Sequence, residues 1–225
     1  MRIYILLFVI STLFLQGCQR AQIGENTNRP AIDTAETDPP FANKEPENYQ
    51  AEIWRTSATG TEKFFSVREG QKWRVDSAYG DVDQITNLHT DKDYVISRAS
   101  KVYAEYPFVH GFDESGGMIG EITEGMINGT GKAVYEKIGT EDGITKYKVT
   151  SDKDRSRETI ISFDEKVGLP LKAEVFKTHE GQRELVLTIT VSGVKTRIDG
   201  GSFALPSGFR KVSIDDMKKV LIGSH

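Results

Sequence analysis

One cysteine stands in the whole chain, Cys18 in the run LFLQGCQ. Its thiol is the side chain with the plainest chemistry to offer. A thiolate attacks carbon to form a stable thioether, whereas a lone cysteine forms neither an intramolecular disulfide nor a multi-cysteine metal site. Other reactive types are scattered. His110 with Asp113 and Glu114 brings three metal-ligand side chains into one short stretch, against the simpler reading of a solvated polar turn. The run HEGQR at 179–183 begins like the zinc-protease helix motif but lacks its second histidine. GTGKAV at 129–134 carries two of the three glycines of a dinucleotide-binding loop, yet leads into a strand-like stretch instead of a helix. No G-x-S-x-G nucleophile elbow occurs, and among the many carboxylates nothing singles out a glycosidase pair. The residues point to no catalytic group, no metal and no enzyme.

What surrounds Cys18 decides what its thiol is for. Arg2 supplies one positive charge, and Ile3 to Leu15 is apolar except for Ser11 and Thr12. A run of about 13 residues is too short to cross a hydrocarbon core of about 30 Å as a helix. A short apolar run after a positive charge instead has the form of an export signal, residues 1–17. Its ending LQGC resembles the lipobox of bacterial lipoproteins, with Leu15, Gly17 and Cys18 in the matching places. The resemblance implies diacylglyceryl transfer to the Cys18 sulfur, cleavage after Gly17 and acylation (palmitate-like chains) of the new amine. That covalent lipid is the only attached group expected. Each buried methylene stabilises such an anchor by about 0.8 kcal/mol, and two chains suffice for stable attachment. In bacteria with two membranes an aspartate after the cysteine tends to hold a lipoprotein in the inner membrane. Gln19 stands there instead, which implies the outer membrane, facing the periplasm.

Residues 18–48 read as a lipidated start followed by a tether. They hold Pro30, Pro39, Pro40 and Pro46, few apolar residues and no sustained periodicity, and such a segment cannot bury enough apolar surface to offset its ordering entropy. The formal charge of the chain is −4, with acids and bases interspersed and no basic stripe. Nucleic acid is therefore not an expected partner.

From residue 49 to 225 the texture is that of one mainly β domain. Short β-rich stretches recur with turn signals between them: EGQ, TDKD and TEDG each separate two such stretches, and Pro107 stops another. In ELVLTITV, Leu185, Leu187, Ile189 and Val191 alternate with Val186, Thr188 and Thr190, the period of a strand with one apolar face. The pattern predicts a curved antiparallel sheet or half-open β-barrel with one or two short helices packed on or in it. Two segments break the β pattern. The glycine-rich run from Phe108 to Gly131 places Met118, Ile119, Ile122 and Met126 at helical spacing, a candidate lid. In SIDDMKKVLIGSH, Ser213 is placed to cap a C-terminal helix with Asp215 and Asp216 in its first turn.

The order of these pieces resembles the lipoprotein-carrier superfamily, the LolA, LolB and RseB-like proteins. EGQKWRVD at 69–76, FDEKVGLPLKAEVF at 163–176 and GSFALPSGFRKV at 201–212 carry the resemblance. It implies a half-open β-barrel with an apolar concavity, closed by helices, in a protein that holds lipid or lipoprotein acyl chains. The candidate lining is Trp54, Phe65, Trp73, Tyr94, Tyr106, Leu187 and Ile189, each of which has plain core packing as its alternative. The rival expectation is a filled barrel whose surface meets another envelope protein, as a stress sensor or scaffold.

Overall fold

The computed structural model describes residues 40–41, 45–107, 132–153 and 156–223. All of them lie in one unit, Thr34–His225. Cys18, Gly17, the metal-like trio at 110–114 and the candidate lid Met118, Ile119, Ile122 and Met126 fall outside the described residues. Among the described residues there are twelve strands and one helix.

The sheet is two meanders joined by one seam. Strands β1 (Asn48–Ser57), β2 (Gly60–Glu69), β3 (Lys72–Ser77), β4 (Ile85–His89), β5 (Asp93–Ser97) and β6 (Val102–Tyr106) follow one another as antiparallel neighbours. So do β7 (Ala133–Glu141), β8 (Ile144–Ser151), β9 (Arg157–Asp164), β10 (Leu169–His179) and β11 (Gln182–Lys195). The halves meet where β1 pairs antiparallel with β11. The result is a single curved sheet that does not close, ended by β7 on one side and by the two-residue β12 (Arg210–Lys211) on the other. Strand β12 runs parallel to β6. Two hairpins are set by backbone stereochemistry. Asp142–Gly143 and Glu180–Gly181 both have positive φ at each residue, the tight turn whose twist matches antiparallel strands. HEGQ is therefore a β-turn and not a helix start.

Directly paired residues share a face of the sheet, and the register sorts the side chains. One face carries Tyr49, Ala51 and Ile53 of β1, and across the seam Val191, Ile189 and Leu187. Here Phe41 is fully buried: its ring stacks on Phe163 at 4.8 Å, tilts over Tyr147 at 5.3 Å and meets Tyr135 edge-on at 6.1 Å. The stretch read as tether thus ends earlier than composition suggests, because an aromatic before β1 belongs to the core. At the far end of the same face, helix α1 (Ile214–Gly223) buries Met217 against Val102 and Ala104. Burial of such a side chain stabilises by about 1.5–3 kcal/mol. Ser213 caps α1 as its position predicts, its hydroxyl accepting from the Asp216 N–H at 3.1 Å and donating to the Asp216 carboxylate at 2.7 Å. No helix among the described residues is long and apolar enough to cross a membrane.

The other face is polar over β8–β10, with Lys146, Lys148, Glu158, Lys172 and Glu174. Over β1 to β5 it is roofed by the chain that follows β11. This strap, residues 196–209, crosses from the seam to the β6 edge. There Arg210 N–H donates to Lys101 O at 3.0 Å and Val212 N–H to Tyr103 O at 2.8 Å. The chain then leads into helix α1, which packs on the opposite face of β6 from the strap face.

Candidate functional site

A cleft of about 430 Å³ lies between the strap and strands β3 to β5. Its lining falls into two walls. Leu88 and Ile96 from the sheet, with Ala204, Pro206 and Phe209 from the strap and Tyr79 from the β3–β4 loop, form an apolar wall. Arg74, Gln84, Thr86, Arg98 and Ser202 form a polar one.

The polar wall is a single chain of hydrogen bonds built from strand geometry. Arg74 and Asp76 are two apart in β3 and so project on the same face. The guanidinium holds the fully buried Asp76 carboxylate through two bonds, of 2.9 and 2.8 Å. Thr86, paired with Asp76 across β3–β4, donates its hydroxyl to the same carboxylate at 2.6 Å. Gln84 Nε2 reaches the Thr86 hydroxyl at 3.5 Å, and Gln84 Oε1 accepts from the Gly80 N–H at 3.2 Å and from Arg98 at 3.3 Å. At the other end Arg74 donates its remaining bond to Ser202 O at 3.0 Å. The buried carboxylate is thus fully matched, and the arginine that neutralises it also holds the roof. The strap is tied again at its start. Gln50 of β1 donates to the Asp199 carboxylate at 2.6 Å and accepts the Asp199 N–H at 3.1 Å. The Gln50 bond first, and Lys195 nearby, hold the Asp199 carboxyl below the usual aspartate range.

The aromatic lining expected from sequence is not brought together. Trp54, Phe65 and Tyr94 lie on the strap face, Trp73, Tyr106, Leu187 and Ile189 on the helix face, by register. Trp54 sits under the Lys63 ammonium at 4.7 Å, and Tyr94 meets Tyr103 edge-on. Trp73 stacks on His89 at 5.6 Å. Tyr106 packs beside Met217, and Leu187 and Ile189 pack on the Phe41 cluster. Phe65 comes nearest to the cleft, stacking at 4.8 Å on Tyr79 of its lining. None of the seven lines the cleft itself. Selection by residue type missed the parity of the strands: in WRVD and in ITNL, alternate residues Arg74, Asp76, Thr86 and Leu88 fall on one face, and that signal was in the sequence. Of the two aromatics in GSFALPSGF, Phe209 lines the cleft and Phe203 lies under Lys72 at 5.7 Å. Among the described residues no group of three or more His, Cys, Asp or Glu is arranged to hold a metal.

No family model matches the chain, and no curated sequence matches it significantly. Some solved structures are similar to it in part. An uncharacterised conserved protein from Thermus thermophilus is 10% identical, over 77% of this chain and 94% of that one, with a TM-score of 0.48. In the MucA/MucB complex of Pseudomonas aeruginosa the matched chain is 10% identical, with a TM-score of 0.48. That match covers 77% of this chain but only 61% of the other. A LolA superfamily protein from Nitrosomonas europaea is 12% identical over 73% of this chain and 96% of its own, with a TM-score of 0.31.

Proposed function

We propose that the protein is a non-catalytic lipoprotein of the cell envelope that holds an apolar or amphipathic ligand beneath its C-terminal strap. In this reading residues 1–17 are removed and the lipid on Cys18 anchors the chain, at the outer membrane facing the periplasm. The residues between Cys18 and Phe41 tether the sheet domain to it. One observation carries the binding role: the strap cleft. Its volume of about 430 Å³ lies within the roughly 300–1,000 Å³ of small-molecule sites. Its apolar wall faces a few fixed polar groups, the composition such sites use for affinity and orientation.

Native mass spectrometry of protein made without residues 1–17 tests the binding role. Co-purified lipid or fatty acid is the expected result. A clean apo mass, together with no displacement of a fluorescent lipid probe, overturns it. The anchor is tested separately: Cys18→Ser should abolish incorporation of labelled palmitate and release the protein from the membrane fraction, and retention of either overturns the anchor.

A second reading, a scaffold or stress-sensing partner of another envelope protein, draws on the helix face. There Phe41 and Met217 already occupy the apolar ground that a ligand would take. Capture of an envelope protein by the apo form, with no lipid bound, would favour it.

A further inference from the structure

We propose that the cleft takes a single-chain amphiphile with one negative charge on its head, the head paired by Arg98 and the chain laid over Leu88, Ile96, Pro206 and Phe209. This rests on the cleft being the ligand site, and three observations narrow the ligand.

The first is charge. Among the described residues the charged side chains in the lining are Arg74 and Arg98. Arg74 is neutralised by Asp76 at 2.8 Å, and its third bond goes to the strap. Among the described residues Arg98 meets one neutral partner, the Gln84 amide oxygen, and no carboxylate, so its positive charge is left over in the described lining. A guanidinium presents its donors in a fork that matches a carboxylate or phosphate.

The second is placement. The Arg98 backbone N–H donates to Gln84 O at 3.0 Å and its guanidinium to the Gln84 amide oxygen at 3.3 Å, so the exposed side chain is tied to the polar wall by its backbone and by one bond of its own. An anionic head there leaves the rest of the molecule against the apolar wall. The third is size. A cleft of this volume sits near the lower end for small-molecule sites, which fits one acyl chain and not the several chains of a mature lipoprotein.

A carboxylate from a fatty acid and a phosphate from a lysophospholipid share this chemistry, so the experiment uses both. Isothermal titration at low salt compares dodecanoate, lysophosphatidylglycerol and the uncharged dodecanol on wild type, Arg98→Gln and Ala204→Trp. Wild type should bind at least one of the two anions about tenfold tighter than the alcohol, the worth of one charge-assisted pair, and the tighter anion names the source. Arg98→Gln should weaken that anion about tenfold and leave the alcohol unchanged. Ala204→Trp, at an exposed strap position, should block all three by filling the cleft. Equal binding of acid and alcohol, untouched by Arg98→Gln, overturns the head-group assignment and leaves the cleft standing as the ligand site. Full binding by Ala204→Trp, or none by wild type, overturns both.

Discussion

On the helix face, Phe41 lies flat on Phe163 among Tyr135, Tyr147 and the apolar residues of the seam, and among the described residues ring packing dominates this interior. On the strap face the cover is a loop held at separated points, Gln50–Asp199, Arg74–Ser202 and the β12 edge, with space left between them. The same sheet supports both. Aromatic packing is continuous and tolerates no gap, because every void loses dispersion contacts. Hydrogen-bonded posts fix a roof at intervals and leave the span between them open. The difference teaches how the described cleft comes about: it lies under the posts, where the cover is intermittent.

Substitutions that attack each kind of closure should separate them. Phe163→Ala, which removes the ring beneath Phe41, should cost about 3–5 kcal/mol in urea unfolding. Whatever fraction stays folded should still bind ligand, since Phe163 is not in the cleft. Asp76→Ala should cost about 3 kcal/mol, the lower end for breaking a buried ion pair, because Arg74 keeps 25% of its side-chain surface. Unlike the first change it should also loosen the strap, read as faster proteolysis between residues 196 and 209 and weaker binding. Replacing Arg74 and Asp76 together by apolar residues should recover much of the stability but not the strap anchorage. Ser213→Ala should cost about 1 kcal/mol through loss of the α1 cap, with binding unchanged.

The smallest effect is at the β6 edge. Glu105 accepts from Lys211 of β12 at 2.8 Å and pairs with Lys92 at 2.9 Å, and these two cations, Lys211 first, pull its carboxyl down from about 4.5 to about 2. A carboxyl depressed on folding stabilises the fold above its unfolded value, and that contribution fades as pH falls from about 4.5 toward about 2. Glu105→Gln should flatten the acid limb of the stability profile in that window, and an unchanged slope would remove the pair from the account of the edge.

Much of the fold was legible in the sequence. Alternation in 185–191, the TEDG turn and the Ser213 cap each involve only residues close together in the chain, and local physics decides them. Even there a limit shows. Leu185, on the expected apolar row, is 47% exposed because β10 and β11 extend past Ser57, the last residue of β1, which pairs with Leu187. What stayed hidden depends on distant register. Whether Trp54 and Trp73 share a face is settled by which strand pairs with which, and Phe41 is a core residue only because β8 and β9 arrive beneath it from a hundred residues away. The cleft was harder still, since its walls come from β3, β4, β5 and the strap.

The seam between β1 and β11 has a kinetic consequence. It joins the first strand to the eleventh at the middle of the sheet, so no partial chain that stops short of residue 182 can complete the fold. Loop-closure entropy must be met before the pairing contributes, which makes folding slow compared with a helical bundle of the same length. A chain delivered N-terminus first therefore keeps the inner edge of β1 unpaired until nearly all of it has arrived. For that interval this edge is the place where another extended chain, a chaperone or a second copy, has most to gain by binding.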